Sequence, residues 1–398
     1  MTMILWLCSA LLLVERLGKL LLVMRFFRLP IPPTSEPAPS VTILQPILSG
    51  DPTLATCLEH NVCVAASVGE STAQLDFLWL VDEDDNTGQA ICRNLIVRYP
   101  SVSIQLQLLP PASQGHNPKT VKLRAALPHA TGDVICVLDD DTMLPSDGLA
   151  TALPYLEEPQ VGLVFGLPYQ VDFSNLWSRL IAYFVNSNSL LTYIPYLALS
   201  EPFTINGMFY LMQRRTLDQV GGFAGLELIL ADDFAVAQRF RRAGYRLVQS
   251  PLCHAVSNHV VNFGAYWQLM TRWLIFPRES LMRYLKPSEL LLLYAFTLIP
   301  TFAPLLLMIT AVALQSWPWA VLGITYLLVG YLSFFWTDRV YLCAASPLRW
   351  SWLLPITQLL LPLQLLAALL LPQRINWRGH VMKVERGGGF RFVRRRGE

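Results

Sequence analysis

Apolar residues are spread unevenly along the 398-residue chain, and their pattern divides it into two parts. Residues 40–280 mix charged, polar and apolar positions as a soluble domain does, whereas residues 289–372 are almost free of charge. The second part contains three stretches with the roughly 20 apolar residues that a bilayer-crossing helix needs. They are Leu290–Leu314, Trp317–Thr337 and Trp350–Leu371. The pattern therefore predicts one globular domain followed by a membrane region.

Strand-like apolar runs alternate with helical patterns inside the globular part. The runs are Val41–Gln45, Phe77–Val81, Ile104–Leu109 and Val134–Leu138. The stretches between them are long enough for crossover helices. This order predicts an α/β domain with a mainly parallel sheet.

The N-terminal segment Ile4–Phe27 is also apolar, but it carries Glu15, Arg16 and Lys19, which are costly in a simple span. We interpret residues 1–28 as a membrane anchor. The alternative is a helix that lies flat in the membrane interface.

Basic residues set the expected orientation. Arg25 and Arg28 follow the N-terminal apolar segment, so the positive-inside rule places the next segment in the cytoplasm. We therefore expect an integral membrane protein with a cytoplasmic globular domain. Three complete C-terminal crossings would carry the basic end of the chain to the other side, against the same rule. Prolines and glutamines interrupt the third stretch, and we expect that crossing to be incomplete.

These patterns give five segments along the chain. Prolines between residues 30 and 39 indicate an extended linker. The predicted segments are an N-terminal anchor (1–28), a linker (29–40), a globular domain (41–285), a transmembrane region (286–372) and a basic tail (373–398).

Composition agrees with a chain that lies largely in lipid. Hydrophobic residues make up 53% of it and charged residues 15%, below the quarter or so that is usual in soluble proteins. The net charge of +2 gives no reason to expect a nucleic-acid partner. The seven cysteines are odd in number and form no CxxC pair, so we expect free thiols and neither a disulfide framework nor a zinc site.

Acidic clusters follow two of the predicted strands, where ligand sites of open α/β sheets lie. They are Asp139–Asp141 and Asp82–Asp85. Adjacent carboxylates repel one another, and a hard cation such as Mg²⁺ or Mn²⁺ would remove that repulsion and hold a diphosphate. The alternatives are a polar turn for the first cluster and a helix cap at Asp85 or Asn86 for the second.

A third acidic pair, Asp232 and Asp233, precedes a helical pattern that ends at Gly244. The helix dipole stabilises ionised carboxylates in a first turn, and N-capping accounts for one of the two. A second carboxylate that faces a pocket suits a general base. His254 and His259 are five residues apart, and we interpret them as ordinary polar residues.

The order of these clusters resembles the ceramide glucosyltransferase family and its bacterial relatives, including hopanoid-associated glycosyltransferases. The matching motifs are Asp82-Glu83-Asp84-Asp85, Gly115-His116-Asn117-Pro118-Lys119, Asp139-x-Asp141, Asn206-Gly207, Asp232-Asp233, Arg272-Trp273 and Trp377-Arg378-Gly379. The resemblance implies an A-type glycosyltransferase fold, an inverting reaction, a nucleotide sugar donor, a lipid acceptor and a divalent metal, Mg²⁺ or Mn²⁺.

Residue roles follow from the same resemblance. Asp233 corresponds to the catalytic base, and Asp139 and Asp141 correspond to the metal and diphosphate motif. The residues expected to contact the nucleotide or its diphosphate are Asp82, Asp84, Asp85, Lys119, Arg272 and Trp273. Which acid of the Asp82–Asp85 cluster meets the nucleoside stays open, and a surface lysine is the alternative for Lys119.

One motif departs from the family pattern. The family's Gln/Arg-x-x-Arg-Trp reads Leu269-Met270-Thr271-Arg272-Trp273 here, with Gln268 one place early. The departure leaves the acceptor open, and an amphipathic interface helix is the alternative reading of this segment.

The predicted function is transfer of a hexose, expected to be glucose from UDP-glucose, to a lipid hydroxyl such as that of ceramide. Competing hypotheses are a polyisoprenyl-phosphate or hopanoid sugar transferase and a polysaccharide synthase. A catalytically inactive lipid-binding factor is the non-enzyme alternative.

Overall fold

The computed structural model of the chain describes residues 2–33, 37–67, 74–276, 285–370, 374–377, 380–385 and 389–394. Its strands are β1 (Val41–Ile47), β2 (Leu75–Asp82), β3 (Ser103–Leu109), β4 (Val134–Leu138), β5 (Thr142–Met143), β6 (Val161–Gln170), β7 (Phe209–Gln213), β8 (Arg246–Val256), β9 (Arg374–Trp377), β10 (His380–Val384) and β11 (Phe390–Arg394). Its α-helices are α1 (Thr2–Phe27), α2 (Leu54–Ser67), α3 (Asn86–Arg98), α4 (Pro118–Ala126), α5 (Gly148–Ala152), α6 (Leu176–Asn188), α7 (Ile194–Leu197), α8 (Arg214–Gln219), α9 (Asp232–Arg242), α10 (Phe263–Phe276), α11 (Pro287–Ala313), α12 (Trp317–Tyr341) and α13 (Leu353–Leu370). A π-helical turn, Ser189–Tyr193, joins α6 to α7.

The central sheet has the strand order β3-β2-β1-β4-β7-β6-β8-β5. Parallel pairs join β3 to β2, β2 to β1, β1 to β4 and β6 to β8, whereas β7 runs antiparallel to β4 and β6. The four strands predicted from the sequence are present as β1 to β4, and the mainly parallel α/β sheet is confirmed. Since β2 and β4 run in the same direction, the acids that follow them lie at one edge of the sheet.

The first strands are continuous apolar runs because both faces of the sheet are covered. In β1, Ile43 packs into the core on one face with Trp79, and Leu44 packs into the core on the other face with Leu78. Successive side chains of a strand point to opposite faces, so each apolar neighbour enters a different core. This double burial fixes the strand ends that carry the acids.

Two helices of the described chain, α11 and α12, are long and apolar enough to cross a membrane, judged by length and composition. They coincide with the first two predicted C-terminal spans. The third predicted span, Trp350–Leu371, forms the shorter helix α13, whose apolar stretch is Leu353–Ala368. Helix α13 packs against α6 and α10 of the globular domain.

The charged residues of α1 have partners on neighbouring helices. Lys19 Nζ lies 2.7 Å from Glu15 Oε1 and donates to the carbonyl of Phe296 at 3.0 Å. That carbonyl lacks its usual helical donor because Pro300, four residues on, has no N–H. The hydroxyl of Tyr326 donates to Glu15 Oε2 at 3.0 Å. These contacts bind α1 to α11 and α12 through polar groups that a lone apolar span would not carry.

The segment predicted as a basic tail, residues 373–398, is instead folded over its described part. Strands β9, β10 and β11 form an antiparallel sheet. Phe390 and Phe392 alternate with Arg391, and this period of two buries the phenylalanines and exposes the arginine. Arg378 and Gly379 of the tail motif, and residues 395–398, lie outside the described residues.

The C-terminal sheet docks on the globular domain. Its apolar side chains pack with Leu230 and with Ile275 of α10. Gln114 Nε2, in the loop before α4, donates to the carbonyl of Phe392 at 2.9 Å. The chain after α13 therefore lies on the same side of the apolar helices as the globular domain.

Candidate active site

A cavity of about 600 Å³ lies at the sheet edge where β1 and β4 end. Its walls are the loop after β1, the first turns of α4, the loop after β4, the loop after β8 and one face of α10. The site residues predicted from the sequence that line it are Lys119, Asp139, Asp141, Arg272 and Trp273. The structure thus brings together residues that are more than 150 positions apart in the chain.

The three adjacent acids after β4 have different surroundings. Asp140 is buried, and its carboxylate accepts a hydrogen bond from the backbone N–H of Leu48 at 2.9 Å. This bond ties the loop after β1 to the loop after β4. Asp139 and Asp141 remain partly exposed at the cavity wall.

Lys119 joins two of the acidic clusters. Asn117 caps α4, and its Oδ1 accepts from the backbone N–H of Lys119 at 3.0 Å. The lysine Nζ lies 2.6 Å from Asp139 Oδ1 and 3.2 Å from Asp232 Oδ2, and it donates to the carbonyl of Gly207 at 2.8 Å. Burial alone would lower the pKa of Lys119, but the two carboxylates raise it well above its ordinary value. Lys119 is therefore a charged bridge and not a surface lysine.

Asp232 and Asp233 occupy the first turn of α9, but neither is its cap. The N-cap residue is Ala231, which supplies no side-chain hydrogen bond. The expectation that N-capping accounts for one of the two acids was therefore wrong. Asp232 pairs with Lys119 instead.

Asp233 lies against the backbone of Gly207. A Cβ atom added at Gly207 would come within 2.9 Å of the Asp233 Cβ, closer than side chains tolerate. Burial, reinforced by the charge of Asp232, raises the pKa of Asp233 to about 7. Asp233 is not among the residues that line the cavity. It lies next to Gly207, whose added Cβ would also come within 3.7 Å of Lys119 Nζ.

Tyr193 lies close enough to Asp233 for the two groups to interact electrostatically. The π-helical turn that carries Tyr193 packs against α1 and α12. Burial of the Tyr193 hydroxyl and the nearby Asp233 carboxylate raise the pKa of this tyrosine. The described structure thus places Asp233 near a turn that contacts the apolar helices.

The acids that follow β2 are farther from the cavity. Asp85 caps α3 by accepting from the backbone N–H of Gly88 at 3.1 Å, and it also accepts from Ser49 Oγ at 2.5 Å. Asp82 pairs with Lys122 at 3.0 Å, whereas Asp84 is exposed. None of the three lines the cavity. Their predicted contact with the nucleoside stays a prediction.

Helix α10 presents Gln268, Leu269, Arg272 and Trp273 to the cavity. Gln268 and Arg272 are four residues apart, so they lie on the same face of the helix. The glutamine that stands one place early in the sequence motif therefore reaches the same wall as the arginine. Trp273 stacks on Phe184 of α6 with a centroid separation of 6.1 Å.

Further cavity residues were not predicted from the sequence, among them Lys122, His259 and Asn376. Lys122 follows Lys119 by three residues on α4, so helical spacing could have indicated it. His259 is held by Asp172, with 2.9 Å between Nδ1 and Oδ2. No local sequence pattern joins His259 to Asp172. None joins Asn376, which belongs to the C-terminal sheet, to the cavity.

His254 and His259 were both interpreted from the sequence as ordinary polar residues, and of the two only His254 lies away from the cavity. It is fully buried, and neither ring nitrogen has a hydrogen-bond partner in the described structure. Burial lowers its pKa to about 3, so the ring is neutral. His259, by contrast, lies at the cavity wall.

The donor set at the cavity suits a divalent cation that is shared with a substrate. Within the described residues, no group of three or more His, Cys, Asp or Glu side chains could hold a metal ion alone. Asp139 and Asp141 supply carboxylate oxygens only. Mg²⁺ is usually held by one or two carboxylates, water and substrate phosphates, and the pair fits that pattern.

Comparison with known proteins identifies the family of the chain. The model of glycosyl transferase family 21 matches residues 5–390. Ceramide glucosyltransferase 3 of Caenorhabditis elegans is 24% identical over 356 residues, 88% of this chain and 74% of that protein. The beta-monoglucosyldiacylglycerol synthase of Synechocystis sp. is 27% identical over 267 residues, 60% of this chain and 51% of that protein.

A solved structure shares the fold. A mannosyltransferase from Pyrobaculum calidifontis, in complex with GDP-Man and Mn²⁺, superposes with a TM-score of 0.50 and 19% identity over 92% of this chain and 98% of that one. The predicted A-type fold and the predicted family resemblance are confirmed. The family match covers the acidic sheet edge, the apolar helices and the start of the last strand, and the chain belongs to glycosyl transferase family 21.

Proposed function

We propose that this glycosyltransferase moves glucose from a nucleoside diphosphate donor to the hydroxyl of a membrane lipid, with inversion at the anomeric carbon. The observation that carries the proposal is that one wall of the cavity is acidic and another is α10, which packs on the apolar helix α13. A donor held by the acids would lie beside the surface from which a lipid arrives. Two relatives are named for ceramide glucosyl transfer and for a glucosyldiacylglycerol product, which supports glucose and a lipid hydroxyl.

Asp233 is the base in this mechanism. A lipid hydroxyl has a pKa far above that of a carboxylate, so its proton must leave while the bond to the anomeric carbon forms. The base must then lie within about 3 Å of the attacking oxygen. A raised pKa makes Asp233 a stronger base than an ordinary carboxylate. Its position beside Tyr193, near α1 and α12, suits an acceptor that comes from the membrane.

The remaining cavity residues hold the donor. Asp139 and Asp141 would bind Mg²⁺ or Mn²⁺, which supplies positive charge for the departing diphosphate. Lys119 and Arg272 add positive charge at the walls, and arginine pairs well with phosphate oxygens. Trp273 is proposed to face the nucleotide sugar. Since Asp85 is engaged as a helix cap, the proposed nucleoside contact is Asp82 or Asp84.

The protein is proposed to be an integral membrane protein with a cytoplasmic catalytic domain. Arg25 and Arg28 support this orientation by the positive-inside rule. The C-terminal sheet contacts the catalytic domain, so the chain must return to that side after α11. Crossings by α11 and α12 alone satisfy this requirement, whereas a third complete crossing by α13 would not.

The test is lipid glycosylation by the full chain purified in a neutral detergent. UDP-glucose and Mn²⁺ are supplied with ceramide or diacylglycerol, and mass spectrometry reports the products. We expect one hexose on a hydroxyl lipid with the unchanged chain and not with Asp233→Asn. Products found only on polyisoprenyl phosphate, or a sugar polymer, would replace this proposal with one of its competitors.

A further inference from the structure

A second, smaller pocket lies between α1, α6, α11 and α13, away from the donor cavity. Its volume is about 60 Å³. This is room for a small polar group, because one water needs roughly 10–15 Å³ on such a measure. The side chains at its wall are mostly polar. They include Arg16, Lys19, Asn188, Thr192, Thr297 and Gln358.

Two cations and one carboxylate meet at this pocket. Glu15 lies 2.7 Å from Lys19 Nζ and 3.7 Å from Arg16 Nε. Among the ion pairs of the described residues, Glu15 is the only acid that reaches either cation. Two cations against one carboxylate leave one positive charge uncompensated. Arg16 is 5% exposed and Lys19 3%, and a buried charge without a partner is costly.

Arg16 is held in place by an aromatic ring and a helix backbone. Its guanidinium carbon lies 4.1 Å from the ring centroid of Tyr326. A Cβ atom at Gly330 would come within 3.2 Å of the same carbon, so the guanidinium packs closely on that helix backbone. Arg16 Nε has no hydrogen-bond partner in the described structure. A fixed guanidinium with an unused N–H is suited to phosphate oxygens.

We propose that this pocket binds the phosphate of an anionic membrane lipid through Arg16 and Lys19. The inference depends on the membrane placement in the proposed function, because α11, which forms one wall of the pocket, is assigned there to the bilayer. Leu17 and Leu21 flank the cations on α1 and are 51% and 63% exposed, as expected of a lipid-facing surface. The phosphate neutralises the spare charge, and the acyl chains lie along the exposed apolar face.

The pocket is also connected to the acceptor side of the active site. Thr192 belongs to its wall, and the next residue, Tyr193, lies near Asp233. A bound phosphate therefore holds α1 and the π-helical turn together beside the base. Lipid binding stabilises this arrangement without entering the donor cavity.

The experiment titrates the full chain in neutral detergent with phosphatidylglycerol, phosphatidylcholine or inorganic phosphate. Native mass spectrometry measures bound lipid, and thermal unfolding measures Tm. We expect phosphatidylglycerol to bind and raise Tm more than phosphatidylcholine. Arg16→Gln should weaken phosphatidylglycerol binding by about tenfold or more, because a charged hydrogen bond is lost.

Arg25→Gln is the matched control, since it removes the same charge from an exposed position of the same helix. It should change binding by less than about threefold, as expected for an exposed charge. Equal affinity in the unchanged chain and Arg16→Gln, or equal loss in the two variants, contradicts the proposal. A larger Tm increase with inorganic phosphate than with phosphatidylglycerol at equal concentration would show that the lipid is not the source of the bound phosphate.

Binding of UDP-glucose serves as the fold check for each variant. If Arg16→Gln no longer binds UDP-glucose, Arg16→Lys is tested in its place. The lysine keeps the charge and removes only the planar guanidinium group. Arg16→Lys should bind phosphatidylglycerol more weakly than the unchanged chain, and unchanged affinity would count against the assigned contact. Lipid binding is measured without sugar transfer. A failure to bind phosphatidylglycerol therefore does not contradict the proposed glucosyl transfer, and a failure of glucosyl transfer does not contradict lipid binding.

Discussion

Asp233 is the residue whose replacement tests the proposed mechanism most directly. Asp233→Asn keeps the size and polarity of the side chain but cannot accept the proton of the acceptor hydroxyl. Turnover should fall by about two to four orders of magnitude while donor affinity stays nearly unchanged. Steady-state kinetics and UDP-glucose titration measure the two effects. Asp218→Asn, at an exposed position outside the cavity, is the control and should leave both unchanged.

The raised pKa of Asp233 gives a second prediction at the same residue. The base must be deprotonated to act, and its pKa is about 7, so the active fraction falls as pH drops below 7. The acceptor kcat/KM should decrease about tenfold for each pH unit below that value. An ordinary carboxylate would keep its activity to about pH 4. A pH–rate profile that stays flat down to pH 5 would show that Asp233 is not the titrating base.

The roles proposed for Asp139 and Asp141 imply that sugar transfer depends on a divalent metal. Asp139→Ala or Asp141→Ala should abolish transfer, because the departing diphosphate loses the charge that Mg²⁺ or Mn²⁺ supplies. Excess chelator should do the same to the unchanged chain, and added Mn²⁺ should restore it. Full turnover in chelator would exclude the metal role. Asp139→Ala also removes a partner of Lys119, so Asp141→Ala is the cleaner variant.

At the scale of elements, Gly207 controls how closely the segment before β7 approaches α9. Gly207→Ala places a methyl group 2.9 Å from the Asp233 Cβ, so one of the two elements must move. A displacement of about 1 Å at a catalytic group can cost about a hundredfold in rate, and we expect kcat to fall by ten- to a hundredfold. Gly18→Ala is the matched control, because nothing lies within 4 Å of its added Cβ. Equal kcat in both variants would show that the contact does not position the base.

The same elements show what the sequence can predict. Strands β1, β2 and β4 were found because they are largely buried and therefore rich in apolar residues. The edge strand β3 was found from its alternation of apolar residues and glutamines. Strand β6 contains two glycines and a proline, and β8 contains a proline and several polar residues, so neither forms a clear apolar run. The alternation of Phe390 and Phe392 was present in the sequence, but the surrounding arginines led to the prediction of a basic tail. The Lys119 bridge between Asp139 and Asp232 joins residues of three separate elements, and no local spacing specifies it.

At the scale of the whole molecule, the apolar helices should hold the protein in the membrane without α1. A chain that lacks residues 1–28 should stay in the membrane fraction after a high-salt wash. Salt screens surface charges but does not extract buried apolar spans. Immunoblotting of washed membranes measures this, with the full chain as reference. Release of the shortened chain into the soluble fraction would show that α11 and α12 do not span.

The position of Asn376 in the wall of the cavity has a consequence for biosynthesis. The ribosome makes the catalytic sheet first, the apolar helices next and the C-terminal sheet last, and domains fold in that order as the chain emerges. The cavity therefore lacks Asn376 until α11, α12 and α13 have been synthesised and the chain has returned to the catalytic side. On the proposed function, a nascent chain still engaged with the insertion machinery has an incomplete donor site, so we expect full competence for sugar transfer only after assembly in the bilayer.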